Sequence, residues 1–256
     1  MHCKPTNQPL CKKHYLFISL GVLHLRAILL TGARFMRIRR KPWVKPELDA
    51  CPFYTEHPSE HRGKWREWFG NDKPIFMELG CGKGGFISKL AVSDYEHNYL
   101  AVDLIDAMLG LAKRNIEREY AAACREVDNI RLMTQDIERL FLMLEDDVDQ
   151  IHRIYINFCN PWPKITQQKK RLTHPRQLNT YKRFLVDGAE LWFKTDDDGL
   201  FNDTLGYLDE CGFSVRYMTR DLLNSGFEGS LPTEHEKMFS EQGIPIKFLI
   251  AIHNKQ

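Results

Sequence analysis

A chain of 256 residues, 43% hydrophobic and 27% charged, has enough apolar content for one large domain and too much for wholesale disorder. Its formal charge of +2 conceals an asymmetry: residues 1–46 carry ten Lys or Arg and no acid, leaving 26 bases against 34 acids, a net of −8, in the remainder. That excludes a uniformly basic nucleic-acid coat but leaves room for a local basic patch.

Residues 16–30 are apolar but broken by His24 and Arg26. The run is too short and too interrupted for a membrane span of about 20 apolar residues. Lys12, Lys13 and His14 upstream of it mimic a signal peptide. Residues 1–35 are read as an N-terminal extension, disordered or loosely docked, or as an upstream segment outside the working protein. The segment Met36-Arg-Ile-Arg-Arg-Lys-Pro-Trp43 opens the domain, 36–256. No membrane is expected for that domain, and its compartment is expected to be the cytoplasm. The seven cysteines form no C-x-x-C pair, so free thiols are expected, without a zinc ribbon, disulfide framework or metal.

Short β-rich runs then alternate with helical patterns. Strands are predicted over 75–79, 99–103, 130–134, 153–157, 189–194, 214–219 and 246–252. Helices are predicted over 84–92, 105–119, 175–186, 200–211 and 233–242. The alternation predicts an α/β fold, a mostly parallel, doubly wound sheet of seven strands in a single domain.

The first strand of that series runs into Glu78-Leu-Gly80-Cys-Gly82-Lys-Gly84-Gly85. Glycines at a strand-to-helix turn permit positive φ and close approach of a ligand. Gly80-x-Gly82-x-x-Gly85 also fits a dinucleotide fingerprint. Glu78 tilts the balance, because a carboxylate aimed at the turn repels pyrophosphate and attracts the ammonium of an amino-acid-like ligand. This favours S-adenosylmethionine over a nicotinamide dinucleotide. Asp103 ends the second predicted strand, where a carboxylate can accept ribose hydroxyls, and Asp136 follows the third, placed for an adenine edge. Either could equally cap a helix.

After the fourth predicted strand comes Asn160-Pro-Trp-Pro-Lys164, an elbow stiffened by two prolines. It is placed to present a methyl-accepting group beside the crevice. From residue 151 to 186 there are eight bases and no acid, a stretch suited to phosphates. Arg37, Arg39, Arg40 and Lys41 beside Trp43 could add a second contact. The fifth predicted strand ends near Asp196. Thr233-Glu-His-Glu236 fits a capping box and alternatively lines the crevice to hold an acceptor base.

Met36-Arg-Ile-Arg-Arg-Lys-Pro-Trp, Glu78-x-Gly-x-Gly-x-Gly, Asn160-Pro-Trp-Pro-Lys, Lys169-Lys-Arg-Leu, Phe193-Lys-Thr-Asp196 and Thr233-Glu-His-Glu-Lys-x-Phe follow one another in this order. Together they resemble the bacterial tRNA (guanine-N7)-methyltransferases, which modify the variable-loop guanine at tRNA position 46. The resemblance runs from about residue 36 to the C-terminus. It implies a Rossmann-like methyltransferase fold with S-adenosylmethionine as cofactor and tRNA as partner, whether as monomer or homodimer. It also implies that Glu78, Gly80, Gly82, Gly84, Asp103, Asp136 and Asn160 bind the donor. Lys164, Asp196, Thr233, Glu234, His235 and Glu236 would contact the substrate, and Lys164, Lys169, Lys170 and Arg171 would touch RNA. The family usually has Asp where this chain has Asn160, the implied catalytic position. Guanine N7 is already an unprotonated acceptor, so no general base is needed, and Asn160 is expected to leave activity intact. The rival readings are an amino-methyltransferase, a nicotinamide oxidoreductase and a non-catalytic RNA-binding protein.

Overall fold

The computed structural model describes residues 41–255. Its frame is an eight-stranded sheet in the order β1-β4-β3-β2-β5-β6-β8-β7. The strands are β1 (Tyr54–Thr55), β2 (Ile75–Leu79), β3 (Asn98–Asp103), β4 (Ile130–Thr134), β5 (Ile151–Asn157), β6 (Leu185–Thr195), β7 (Phe213–Thr219) and β8 (Lys247–His253). β1 to β6 are parallel, and β8 runs antiparallel between β6 and β7.

The sequence pattern predicts seven strands, and the eighth is β1. Its two residues pair with Leu132 and Met133 of β4, a length too short for any alternation to register in the sequence. The helix expected over 175–186 ends at Lys182, and β6 begins at Leu185 instead of 189. Here the pairing with β5 jumps from Ile151–Leu185 to Arg153–Glu190. The extra residues bulge through Gly188, at φ +75°. A glycine bulge interrupts the period on which strand recognition rests.

The helices are α1 (Val44–Asp49), α2 (Trp65–Phe69), α3 (Gly85–Ser93), α4 (Asp106–Ala122), α5 (Pro175–Lys182), α6 (Asp198–Glu210) and α7 (Glu234–Glu241). Strand residues alternate between the two faces. Ile75, Met77 and Leu79 of β2 pack with α2, α5 and α6, while Phe76 packs with α1, α3 and α4. β2 is buried along its whole length, as expected of a parallel strand covered on both faces. Glu78 shares the parity of Phe76, so its carboxylate enters the α3–α4 side.

Val44 and Trp43 pack against Gly110 of α4, where a Cβ would lie 2.8 Å from Val44. Arg114 lies 3.5 Å from the centre of the Trp43 ring, and the Lys41 ammonium 5.6 Å. The other bases singled out beside Trp43, Arg37, Arg39 and Arg40, lie outside the described residues, as does the 1–35 extension. No described helix is long and apolar enough to cross a membrane.

Candidate active site

The sheet order reverses between β2 and β5: from β2 the chain winds outward through β3 and β4, and from β5 through β6. A crevice opens at the carboxyl ends of strands at such a switch point. The glycine turn, residues 80–84, lies on one side of it and the elbow on the other.

Hydrogen bonds within the turn decide what it can bind. The N–H groups of Gly80 and Cys81 both donate to the Val102 carbonyl, at 2.9 and 3.0 Å, and that of Gly84 to the Cys81 carbonyl at 2.8 Å. Gly82 N–H donates to the Asp103 carboxylate at 2.9 Å. A phosphate nest needs such groups free, and these four are taken. Gly80 and Gly82 sit at φ +79° and +54°, and a Cβ added to either would meet nothing within 4 Å, so they keep the space above them clear. Gly84 serves packing instead. A Cβ there would lie 2.8 Å from Ala112, so its absence lets α3 and α4 approach.

Glu78 is 2% exposed. Its Oε1 accepts from Asn157 Nδ2 at 2.9 Å across the switch point, while buried Oε2 has no partner among the described residues. Burial is the main force pushing its pKa up, to about 8; Asp103 adds to the rise, and the Asn157 bond and the Lys194 charge oppose it. An unsatisfied buried acceptor costs about 1–3 kcal/mol, a cost that a bound cation would remove. Glu78 opens onto a cavity of about 310 Å³ walled by Gly80, Gly82, Phe86, Met108, Phe158 and His235, with Asn157, Thr233 and Glu234 completing the rim. The free oxygen, the open glycines and the four occupied turn N–H groups fit an ammonium-bearing donor such as S-adenosylmethionine and not a pyrophosphate.

The far wall is fixed by α7. Thr233 Oγ1 accepts from Glu236 N–H at 2.9 Å, and the Glu236 carboxylate reaches back to Thr233 N–H, so the capping box is present. Glu236 also pairs with Lys194 at 2.7 Å, and Lys194 donates to the Leu231 carbonyl at 2.9 Å. Thr233 and Glu236 therefore fix the start of α7, and Thr233, Glu234 and His235 line the cavity. Glu234 lies against the start of α3, where a Cβ on Gly85 would be 2.8 Å from its Oε1. A carboxylate at a helix N-terminus is favourably placed. Phe158 stacks on His235 with ring centres 5.6 Å apart and holds φ +53°, a strained conformation for a non-glycine.

Beyond Phe158 the elbow borders a second cavity of about 240 Å³, lined by Leu79, Gly80, Asn157, Asn160, Trp162 and Lys170 among others. Asn160, expected to touch the donor, thus lies one cavity over. Its Oδ1 accepts from Trp162 N–H at 3.1 Å, and the residue is exposed. Arg171 corrects an expected RNA contact. It is 3% exposed, and its guanidinium holds the Pro161 carbonyl at 2.7 Å and Asp203 at 2.5 Å. It braces the elbow from behind.

The basic stretch is likewise narrower than its sequence implies. Arg153 pairs with Glu190, Arg176 with Glu138 and Arg183 with Asp146, while Lys182 donates to the Cys211 carbonyl. Lys164 at the end of the elbow and Lys169 and Lys170 on the turn after it are exposed and have no ionic partner among the described residues. Asp103 and Asp136 stand at adjacent strand ends outside the cavity wall. Asp103 also accepts from Ile105 N–H at 2.9 Å, and Asp136 caps the next turn through Glu138 N–H at 3.0 Å. Asp196 is half-buried at the end of β6, and its carbonyl accepts from Lys247 at 3.0 Å.

The sequence patterns above point to no role for Asn157, Phe158 or Lys194. The available signal was polarity inside an apolar strand: Asn157 closes Ile154-Tyr-Ile-Asn, and Lys194 interrupts Leu191-Trp-Phe-Lys.

A family model described as "Putative methyltransferase" matches residues 72–249. A tRNA (guanine-N(7)-)-methyltransferase of Ruminiclostridium cellulolyticum is 58% identical over 222 residues, 86% of this chain and 94% of that protein. One from Clostridium beijerinckii is 56% identical over 217 residues, 85% of this chain and 99% of that protein. Among solved structures, the 16S rRNA methyltransferase KamB superposes with TM-score 0.55 at 12% identity, covering 75% of this chain and 93% of its own. An antibiotic-related methyltransferase gives 0.54 at 16% identity, with the same coverage. These two likenesses concern the fold, which is that of the Rossmann-like methyltransferases. Within that class, the chain belongs to the tRNA (guanine-N7)-methyltransferase family.

Proposed function

We propose that this protein transfers a methyl group from S-adenosylmethionine to N7 of guanine in tRNA, at position 46 of the variable loop. The geometric support is the free oxygen of Glu78, facing a cavity one strand away from the proline elbow. The named activity of relatives more than half identical over most of both chains supports the substrate.

When bound, the donor supplies an electrophilic methyl carbon on a positively charged sulfur. Glu78 takes the donor's ammonium, and Asp103 and Asp136 receive its ribose and adenine at the neighbouring strand tips. The elbow holds the target purine in the second cavity, with Trp162 as an apolar wall. Guanine N7 offers a lone pair without losing a proton, so the chain needs no general base, and rate comes from positioning. The Asn160 NH₂ donates to guanine O6. Asp196, Glu234 and His235 contact the base or its ribose. Lys164, Lys169 and Lys170 take phosphates on the RNA side.

The test is incubation with labelled S-adenosylmethionine and unmodified tRNA, followed by nucleoside analysis and mapping of the site. The expected product is 7-methylguanosine at position 46. A different methylated nucleoside, or none with folded protein, overturns the proposal.

A further inference from the structure

We infer that Asn157 is a positioning residue for the methyl donor: from the tip of β5 its amide fixes the Glu78 carboxyl, with one oxygen tied and the other presented to the donor's ammonium. This rests on the donor reading of the 310 Å³ cavity.

Asn157 is where the two halves of the sheet meet. Its Nδ2 donates to Glu78 Oε1 at 2.9 Å, while the other oxygen of that carboxyl is buried without a partner among the described residues. The same side chain lines the donor cavity, the elbow cavity and a small slot beside Lys194. It therefore touches every space a donor and acceptor would share.

The charged and titratable groups around Glu78 come from four other elements. Asp103 at the end of β3 opposes its ionisation, and Lys194 on β6 favours it. Lys83 of the glycine turn and Glu234 and His235 of α7 line the same cavity. The buried Cys81 thiol beside it is held well above its ordinary pKa, chiefly by burial, and so stays neutral. Asn157 gives Glu78 its hydrogen bond without adding a charge to this balance. A neutral donor on one oxygen favours the carboxylate and fixes its rotation. Without that bond, the carboxyl turns freely and keeps its proton to higher pH, and a protonated carboxyl does not hold an ammonium by charge.

The experiment is calorimetric titration of S-adenosylhomocysteine, the demethylated product, into the full chain between pH 6 and 9. The proteins are the parent, Asn157→Ala, Asn157→Leu and Glu78→Gln. The parent should bind and gain affinity as Glu78 ionises. Both Asn157 variants should bind on the order of tenfold more weakly at pH 7, as expected for a lost hydrogen bond to a charged group, with their affinity rise moved to higher pH. The ligand's own amino group titrates identically in every arm, so the displacement between profiles reports on Glu78. Leu keeps the branched outline of Asn with bulkier ends, whereas Ala leaves a void; a loss due to packing would differ between them, and loss of the amide is common to both.

Parent-like affinity and profile in both variants overturns the inference. So does weaker binding with an unmoved pH profile, which would assign Asn157 to packing alone. If the folded parent does not bind the product, the donor reading itself fails, an outcome distinct from either.

Discussion

Replacing Glu78 by Gln should make the ligand-free protein more stable while abolishing its grip on the donor. In the unfolded chain this carboxyl titrates near 4.5, and in the folded protein burial pushes it up to about 8. Between those values the native state retains a proton that the unfolded state has released. The unfolded state then binds fewer protons, so stability falls as pH rises through that window. At about 1.4 kcal/mol per pH unit, the displacement corresponds to on the order of 5 kcal/mol. Gln keeps an oxygen for Asn157 and has nothing to titrate. Urea unfolding of the two proteins without ligand, at intervals from pH 4 to pH 8, gives the comparison. The variant's advantage should be smallest at the acid end and widen steadily toward pH 8. Curves that run parallel over that interval would refute the reasoning, because they would mean that Glu78 ionises at the same pH folded and unfolded.

Lys194→Met strands the Glu236 carboxylate and should cost on the order of 3 kcal/mol, much of it absent when Glu236→Gln is already in place; equal losses in both backgrounds would show that the pair is not coupled. Burial holds the Lys194 pKa below its ordinary 10.5. Its folded form releases its proton first, so this group adds stability as pH climbs toward 10.5, a rise the Met variant should lack in alkaline unfolding curves. Asn160→Ala should slow single-turnover methyl transfer and Asn160→Asp should not; an Ala variant as fast as the parent removes Asn160 from the chemistry. Lys164→Ala should lower tRNA affinity and flatten its log–log salt dependence by about 0.7–0.9, and an unchanged slope in filter binding would exclude a phosphate contact.

Much of the frame was legible because parallel strands buried on both faces leave continuous apolar runs. The run over 75–79 was bounded to the residue and 130–134 likewise, since each ends against a turn or a polar residue. β1 escaped because two residues carry no period, and the start of β6 because the bulge at Gly188 breaks one. At the site, the glycine turn and the carboxylates at strand tips could be found as local patterns. Which of them share a cavity depends on strand order, and no local pattern records that Glu78 on β2 meets Asn157 on β5, 79 positions away. Charge was the least reliable guide. Lys169, Lys170 and Arg171 are consecutive, yet the two lysines face solvent and the arginine faces inward. Thr233 and Glu236 form the capping box, and Thr233 lines the cavity as well, so the cap and the crevice share a residue.

The inward arginine has a practical consequence for anyone surveying this surface by alanine replacement. Loss of Arg171 would loosen the scaffold beneath the acceptor corner and depress turnover, imitating a defect in nucleic-acid capture. Only electrolyte titration tells such a mechanical strut apart from a true anchor: removing the strut leaves the number of displaced counterions as it was.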